Sequence, residues 1–274
     1  MKVELRDGLA LNAECRGDGP DLLLLHGFTG ARLAWEPVRA ELTRDFRVIA
    51  VDLLGHGDSD RCADPARYAL EKQVDDLVRV LDACGSRTPA WVGYSMGGRL
   101  SLAAAVLRPE RVGALVAEGA TPGLEEPEAR RERVRADEDW ASRIESEGLE
   151  AFVSAWMDQP LFESQHRLGP AVLAEERRRR LGNDAACLAA CLRGAGTGVQ
   201  PSFWGRLADV RAPCLLLAGE WDVKFTGLAR RMARQIPDAR VRGVPRSGHA
   251  THLENPPGWT AEVRSFVRRT LNEE

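Results

Sequence analysis

Gly93-Tyr94-Ser95-Met96-Gly97 is a G-x-S-x-G, with an apolar run ending at Val92 before it and a helix-like stretch, Arg99 to Leu107, after it. Strand, sharp turn and helix in that order raise a serine hydroxyl above a sheet and set free backbone N–H groups beside it. Glycines suit such a turn because strand and helix pass close together, and Gly98 adds another small residue at the helix start. The serine becomes reactive only if a histidine can take its proton and a carboxylate can orient that histidine. Two downstream positions fit, in the order serine, acid, histidine. Asp222 lies in Gly219-Glu-Trp-Asp222, just past the apolar run Cys214 to Ala218. His249 lies in Ser247-Gly-His249, just past a short strand near Val241 to Val244. Glu220 competes as the acid but sits nearer its strand end, and His252 competes as the base but sits three residues further on. An ordinary Gly-rich strand-to-helix turn is the plain alternative for the serine motif taken alone.

A second loop supplies what such a serine needs. His26-Gly27-Phe28 follows the first buried strand. Backbone N–H groups of Phe28 and Met96 are the expected donors to a developing oxyanion. His26 reads as a structural residue that holds this loop by hydrogen bonds. In Asp52-Leu-Leu-Gly-His-Gly-Asp-Ser59, His56 and Asp58 read as organisers of a Gly-rich loop.

These positions require a scaffold. Short continuous apolar runs suit strands covered on both faces. They occur at Leu22 to Leu25, Arg47 to Asp52, Ala90 to Gly93, Val112 to Ala117 and Cys214 to Ala218. Helical patterns lie between them at roughly 33–43, 69–84, 96–107, 226–235 and 256–272. Alternation of this kind predicts an α/β fold with a mostly parallel central sheet and flanking helices. The first fifteen residues read as a hairpin turning at Asp7-Gly8. From about Thr121 to Leu207 the chain is charge-rich and helical, bounded by Pro122-Gly123 and Pro201-Ser202. The expected division is a core of 1–120 and 208–274 with an inserted helical cap of 121–207.

Bulk properties narrow the class. The 274 residues carry a formal net charge of -3, which favours neither nucleic acid nor an anionic membrane as a partner. The amino-terminal stretch Met1 to Glu14 has early charges and no long apolar run, unlike a signal peptide. No stretch approaches the about 18 apolar residues of a membrane span. A cytoplasmic protein is expected. Its six cysteines (Cys15, Cys62, Cys84, Cys187, Cys191 and Cys214) are expected to be reduced and mostly buried, without a metal-site pattern. Most arginines of the run Arg177 to Arg180 are expected in solvent, because consecutive helical residues point in different directions.

The motifs His26-Gly-Phe28, Asp52 to Ser59, Gly93 to Gly98, Gly219 to Asp222 and Gly248 to Pro256 together resemble the α/β-hydrolase superfamily. Further strings narrow the resemblance: Tyr94 to Arg99, Glu118 to Leu124, Arg133 to Trp140, Trp156 to Pro160, Gly196 to Pro201 and Asp222 to Phe225. They look like the 2-succinyl-6-hydroxy-2,4-cyclohexadiene-1-carboxylate synthase family, lyases of menaquinone (vitamin K2) biosynthesis. The likeness covers roughly residues 20 to 268, cap included. One departure is Leu54, where the family loop carries proline.

The resemblance implies a pyruvate-eliminating lyase with no cofactor and no metal. Its substrate would be a small tricarboxylate, 2-succinyl-5-enolpyruvyl-6-hydroxy-3-cyclohexene-1-carboxylate. Ser95, Asp222 and His249 would be catalytic, with Tyr94, Arg99, Arg133, Trp156 and Arg180 binding substrate. Arginine suits that task because its planar fork pairs with carboxylates. Lys224 and Gln200 would shape the pocket. A monomer or small homo-oligomer is expected, with no nucleic acid and no membrane insertion. The rival reading is a serine hydrolase that cleaves a small ester or thioester through an acyl-enzyme.

Overall fold

The computed structural model describes residues 1–271. Eight strands form one sheet: β1 (Lys2–Glu4), β2 (Ala10–Arg16), β3 (Asp21–Leu25), β4 (Arg47–Asp52), β5 (Ala90–Tyr94), β6 (Ala114–Glu118), β7 (Cys214–Gly219) and β8 (Ala239–Val244). Their order is β1-β2-β4-β3-β5-β6-β7-β8. β1 and β2 form the expected antiparallel hairpin, β2 pairs antiparallel with β4, and every other pairing is parallel.

Side chains of one strand feed two different layers. Leu23 and Leu25 pack on one face with Leu77, Leu100 and Met232, while Leu22 and Leu24 pack on the other with Trp35, Trp259 and Phe266. All four leucines are fully buried, so β3 reads as an unbroken apolar run. The helices divide accordingly. α1 (Glu36–Leu42) and the carboxy-terminal helix (Pro256–Leu271) cover one face. α2 (Leu70–Ala83), α3 (Met96–Leu107) and the helix after β7 (Val223–Ala233) cover the other.

Between β6 and β7 the described chain is helical: α4 (Pro127–Glu147), α5 (Leu149–Met157), α6 (Pro170–Leu181) and α7 (Ala185–Ala195). α4 begins on Pro127 at its first turn and stops at Gly148, whose φ of 85° lies in the left-handed region. These helices enclose a cluster of their own, built on Ile144, Phe152, Trp156, Phe162 and Leu188. Phe28, from the loop after β3, packs against both this cluster and the sheet core. The helix after β7 is α8, and α9 (Thr251–Glu254) and α10 (Pro256–Leu271) complete the described residues.

Several expectations shift. β6 begins at Ala114 rather than Val112, where its pairing with β5 starts at Ala90. α8 begins at Val223 rather than 226, since the Asp222 side chain caps it. Position 272, the expected end of the last helix, lies outside the described residues. The cysteines divide evenly: Cys187, Cys191 and Cys214 are buried, whereas Cys15 is exposed and Cys62 and Cys84 are half-buried. Cys15 lies on β2 beside the end of α2, where its Sγ meets Cys84 Sγ at 3.2 Å. The arginine run is less solvated than expected. Of Arg177 to Arg180 only Arg178 is exposed, because α6 lies between α5 and the loop carrying Thr29.

Candidate active site

The turn after β5 puts Ser95 at φ 50°, ψ −106°, the cap of α3, a conformation that a non-glycine residue holds only where its surroundings impose it. The surroundings are tight. A Cβ on Gly97 would lie 2.1 Å from the Leu25 carbonyl oxygen, and one on Gly93 would lie 2.2 Å from the Gly97 carbonyl oxygen. Ser95 N–H donates to the Glu118 carbonyl at 2.8 Å, which ties the turn to the neighbouring strand β6.

Ser95 Oγ lies 3.3 Å from Nε2 of His249, and His249 Nδ1 lies 2.8 Å from Asp222 Oδ2. The other Asp222 oxygen accepts from Phe225 N–H at 3.1 Å. One carboxylate therefore both starts α8 and orients the imidazole, so its position is held from two sides. The competitors are engaged elsewhere. Glu220 is exposed and accepts from Arg246 N–H. His252 is turned onto Glu118, with Nδ1 3.0 Å from Oε1.

Glu118 ends β6 and is fully buried. Its carboxylate accepts from the Thr251 N–H and hydroxyl, the His252 N–H and the Trp259 indole N–H. Burial penalises its charge, but His252 and these donors outweigh that penalty and hold the carboxyl below its ordinary range. The next residue, Gly119, has φ 55° and no room for a side chain, because a Cβ would lie 2.8 Å from His249 Cε1. The histidine loop is thus seated on the end of the strand that also holds the serine turn.

A cavity of about 360 Å³ opens over Ser95 between the sheet and the inserted helices. Phe28, Met96, Tyr94, Arg99, Arg133, Trp156 and Arg180, named from the sequence, all line it, as does Lys224. A wider hollow of about 750 Å³ adjoins it past His249, with Arg167, Trp221 and Lys224 on its wall. Tyr94 has its ring 5.3 Å from that of His249, and burial holds its phenol well above the ordinary range. Trp156 sits in an aromatic group with Phe28, Trp140 and Phe152, and its indole N–H is buried with no partner among the described residues. His26 and His56 are loop-holders: Leu53 N–H donates to His26 Nε2 at 3.0 Å, and His56 Nδ1 bonds the Leu54 carbonyl. Asp58 pairs with Arg32.

The arginines differ in their partners. Arg133 donates through Nε to Asp137 at 2.8 Å. Arg180 hydrogen-bonds the Thr29 hydroxyl and lies 3.7 Å from Glu176. Arg99 reaches only neutral acceptors, the Ala195 carbonyl and Gln200 Oε1, each at 2.7 Å. Among the described residues no carboxylate stands within ion-pair distance of it. Burial and the charge of Arg133 lower its pKa to about 10, so the guanidinium stays cationic at neutral pH. A sheltered cation with no carboxylate at ion-pair distance, on which Asp137 acts only through space, is costly and marks where an anion belongs.

Comparison with known proteins places this site in a lineage. A family model for the α/β hydrolase fold matches residues 20–256. A protein of Bacillus subtilis (strain 168), provisionally named 2-succinyl-6-hydroxy-2,4-cyclohexadiene-1-carboxylate synthase, is 42% identical over 269 residues, covering 97% of this chain and 98% of its own. The chain belongs to the α/β-hydrolase family, among the 2-succinyl-6-hydroxy-2,4-cyclohexadiene-1-carboxylate synthases. A synthase of that name from Escherichia coli O157:H7 (strain EC4115 / EHEC) is 37% identical over 257 residues, covering 91% and 94% of the two chains. The solved structure of MenH from S. aureus superposes with a TM-score of 0.90 at 30% identity, covering 95% of this chain and 98% of that one. The synthase likeness extends through the inserted helices, the part of this fold that differs most between activities.

Sequence reasoning passed over Asp137, Thr29, Phe162 and Phe225 as contributors to the site. Only Asp137 had left a trace, its spacing of four from Arg133 on one helix. Among the described residues no helix is long and apolar enough to cross a membrane.

Proposed function

We propose that this chain removes a ring proton from 2-succinyl-5-enolpyruvyl-6-hydroxy-3-cyclohexene-1-carboxylate and expels pyruvate, leaving 2-succinyl-6-hydroxy-2,4-cyclohexadiene-1-carboxylate. The observation that carries the reading is Arg99. A guanidinium paired only with neutral acceptors lies one helical turn from Ser95, inside a cavity lined by two further arginines. A substrate with three carboxylates answers that charge, whereas an apolar ester does not.

In this reading His249 Nε2 takes the Ser95 hydroxyl proton while Asp222 stabilises the imidazolium. The Ser95 oxygen takes the ring proton next to the succinyl carbonyl. The electrons of that C–H bond pass to the carbonyl oxygen, which rests on the N–H groups of Phe28 and Met96. Such donors are worth about 3–4 kcal/mol each. Return of the electrons forms a ring double bond, shifts the existing one and breaks the bond to the enolpyruvyl oxygen, and protonation of the released enolate on carbon gives pyruvate. No water is consumed and no acyl-enzyme forms. Arg99, Arg133 and Arg180 bind the carboxylates, with Tyr94 and Trp156 lining the ring site. We also propose residues 121–207 as a cap on a core of 1–120 and 208–274, and a cytoplasmic location.

The test is pyruvate release, followed through a coupled dehydrogenase, with substrate made in situ by the preceding pathway enzyme. Wild type should turn over, Ser95→Ala should lose at least about 10³-fold, and Arg99→Ala should lose about 10²-fold in kcat/KM. Release no faster than the spontaneous rate sinks the lyase, and an ester panel then examines the hydrolase reading.

A further inference from the structure

Three features meet on the cap side of the cavity. Arg133 and Asp137 sit one turn apart on α4 and are joined Nε to Oδ1 at 2.8 Å. The Asp137 carboxylate is 3% exposed and its second oxygen, Oδ2, has no partner among the described residues. Gly196, in the loop after α7, leaves room for that oxygen: a Cβ there would lie 2.3 Å from Oδ2. The Ala195 carbonyl at the end of α7 and Gln200 in the same loop hold Arg99.

A carboxylate buried with one oxygen unsatisfied is an expense that a purely structural ion pair would avoid. Its position explains it. Arg99 and Arg133 are like charges that line one cavity, and Arg133 disfavours the charge on Arg99. Asp137 is the nearby anion that both of them feel, and their charges oppose the rise in its pKa that burial imposes. Without it the half-exposed Arg133 fork would lose the partner that fixes its direction towards the cavity.

We infer that Asp137 is a positioning residue for carboxylate recognition: it aims Arg133 into the cavity and balances the Arg99–Arg133 pair, with Gly196 making space for it. It does not touch the reacting atoms. The inference rests on the reading that the cavity binds a carboxylate substrate. It adds a residue from the cap side that sets specificity through another residue.

Two assays separate the inference from that reading. In the first, Asp137→Ala is expected to raise KM for the pyruvate-releasing reaction about tenfold, with kcat falling less than about threefold, the loss of one charge-assisted hydrogen bond. Asp137→Asn keeps an acceptor for Arg133 Nε and should recover part of that loss; it also serves if the alanine variant folds poorly. In an Arg133→Ala background, Asp137→Ala should add less than twofold, because the effect passes through Arg133. Additive losses, an unchanged KM, or a fall confined to kcat would overturn the positioning role. The second assay measures succinate binding by calorimetry and needs no turnover. Wild type should bind, and Asp137→Ala should bind about tenfold more weakly. If wild type binds succinate but releases no pyruvate, the lyase reading fails while the positioning role stands. If wild type does not bind succinate, or Asp137→Ala binds it equally well, the positioning role fails.

Discussion

At the residue scale, reactivity here depends on what each buried ionisable group is paired with. Asp222 is shared between a helix cap and an imidazole, Glu118 is surrounded by donors, and Arg99 meets neutral acceptors alone. His56 is the contrasting case. It is buried with His26 beside it, and burial together with that neighbour's charge lowers its pKa to about 3. The folded protein therefore keeps His56 neutral where the unfolded chain, with an ordinary histidine pKa near about 6.5, takes a proton. Because the folded pKa is depressed, stability is complete above about pH 6.5 and is lost as pH falls towards 3, at up to about 1.4 kcal/mol per pH unit. Urea unfolding of wild type and His56→Gln between pH 4 and 7 checks this. The variant should be less stable at pH 7 and show a flatter decline. Identical slopes would exclude His56 as the proton acceptor.

At the element scale, the serine turn is set by backbone meeting backbone. Gly97 opens α3 against the end of β3, where the Leu25 and His26 carbonyls leave no room for a methyl group. Carbonyls of a buried central strand cannot yield as the tip of a side chain can. Gly97→Ala should cost about 3 kcal/mol or more. Gly227, inside α8 with open space around it, should by contrast gain up to about 1 kcal/mol on replacement by alanine. Chemical denaturation of both variants tests the pair, and similar effects at the two glycines would refute the close-approach argument.

At the scale of the whole molecule, the cavity is a seam. Its floor comes from the C-terminal ends of β3 and β5, its roof from α4 to α7, and one side from α8 and the histidine loop. An anion that bridges these parts stabilises the folded protein without adding to either core. Succinate at ten times its dissociation constant should contribute about 1.4 kcal/mol and raise Tm by about 2–3 °C. Arg99→Ala should lose most of that gain. A thermal scan showing no shift in wild type would mean that the cavity does not take dicarboxylates.

Much of this was legible in the amino-acid order because it depends on neighbours in the chain. Continuous apolar runs marked the buried strands, since a strand covered on both faces has no polar side to show. The glycines of Gly93 to Gly98 announced a turn that only small residues survive, and the order of Ser95, Asp222 and His249 followed from their places after strand ends. The start of α8 was misplaced because Asp222 acts as its cap, a role that depends on where a side chain turns. The solvation of Arg177 to Arg180 was misjudged because helix periodicity alone does not say what lies opposite a face; Thr29 and α5 do. Only the folded chain brings Gly196 to Asp137 and Gln200 to Arg99, pairings between α7's loop and two separate helices. Chain order chose the residue types and the local turns, because those obey near-neighbour sterics. Which charges share a cavity and which stay unpaired was decided by packing, where groups a hundred residues apart first meet.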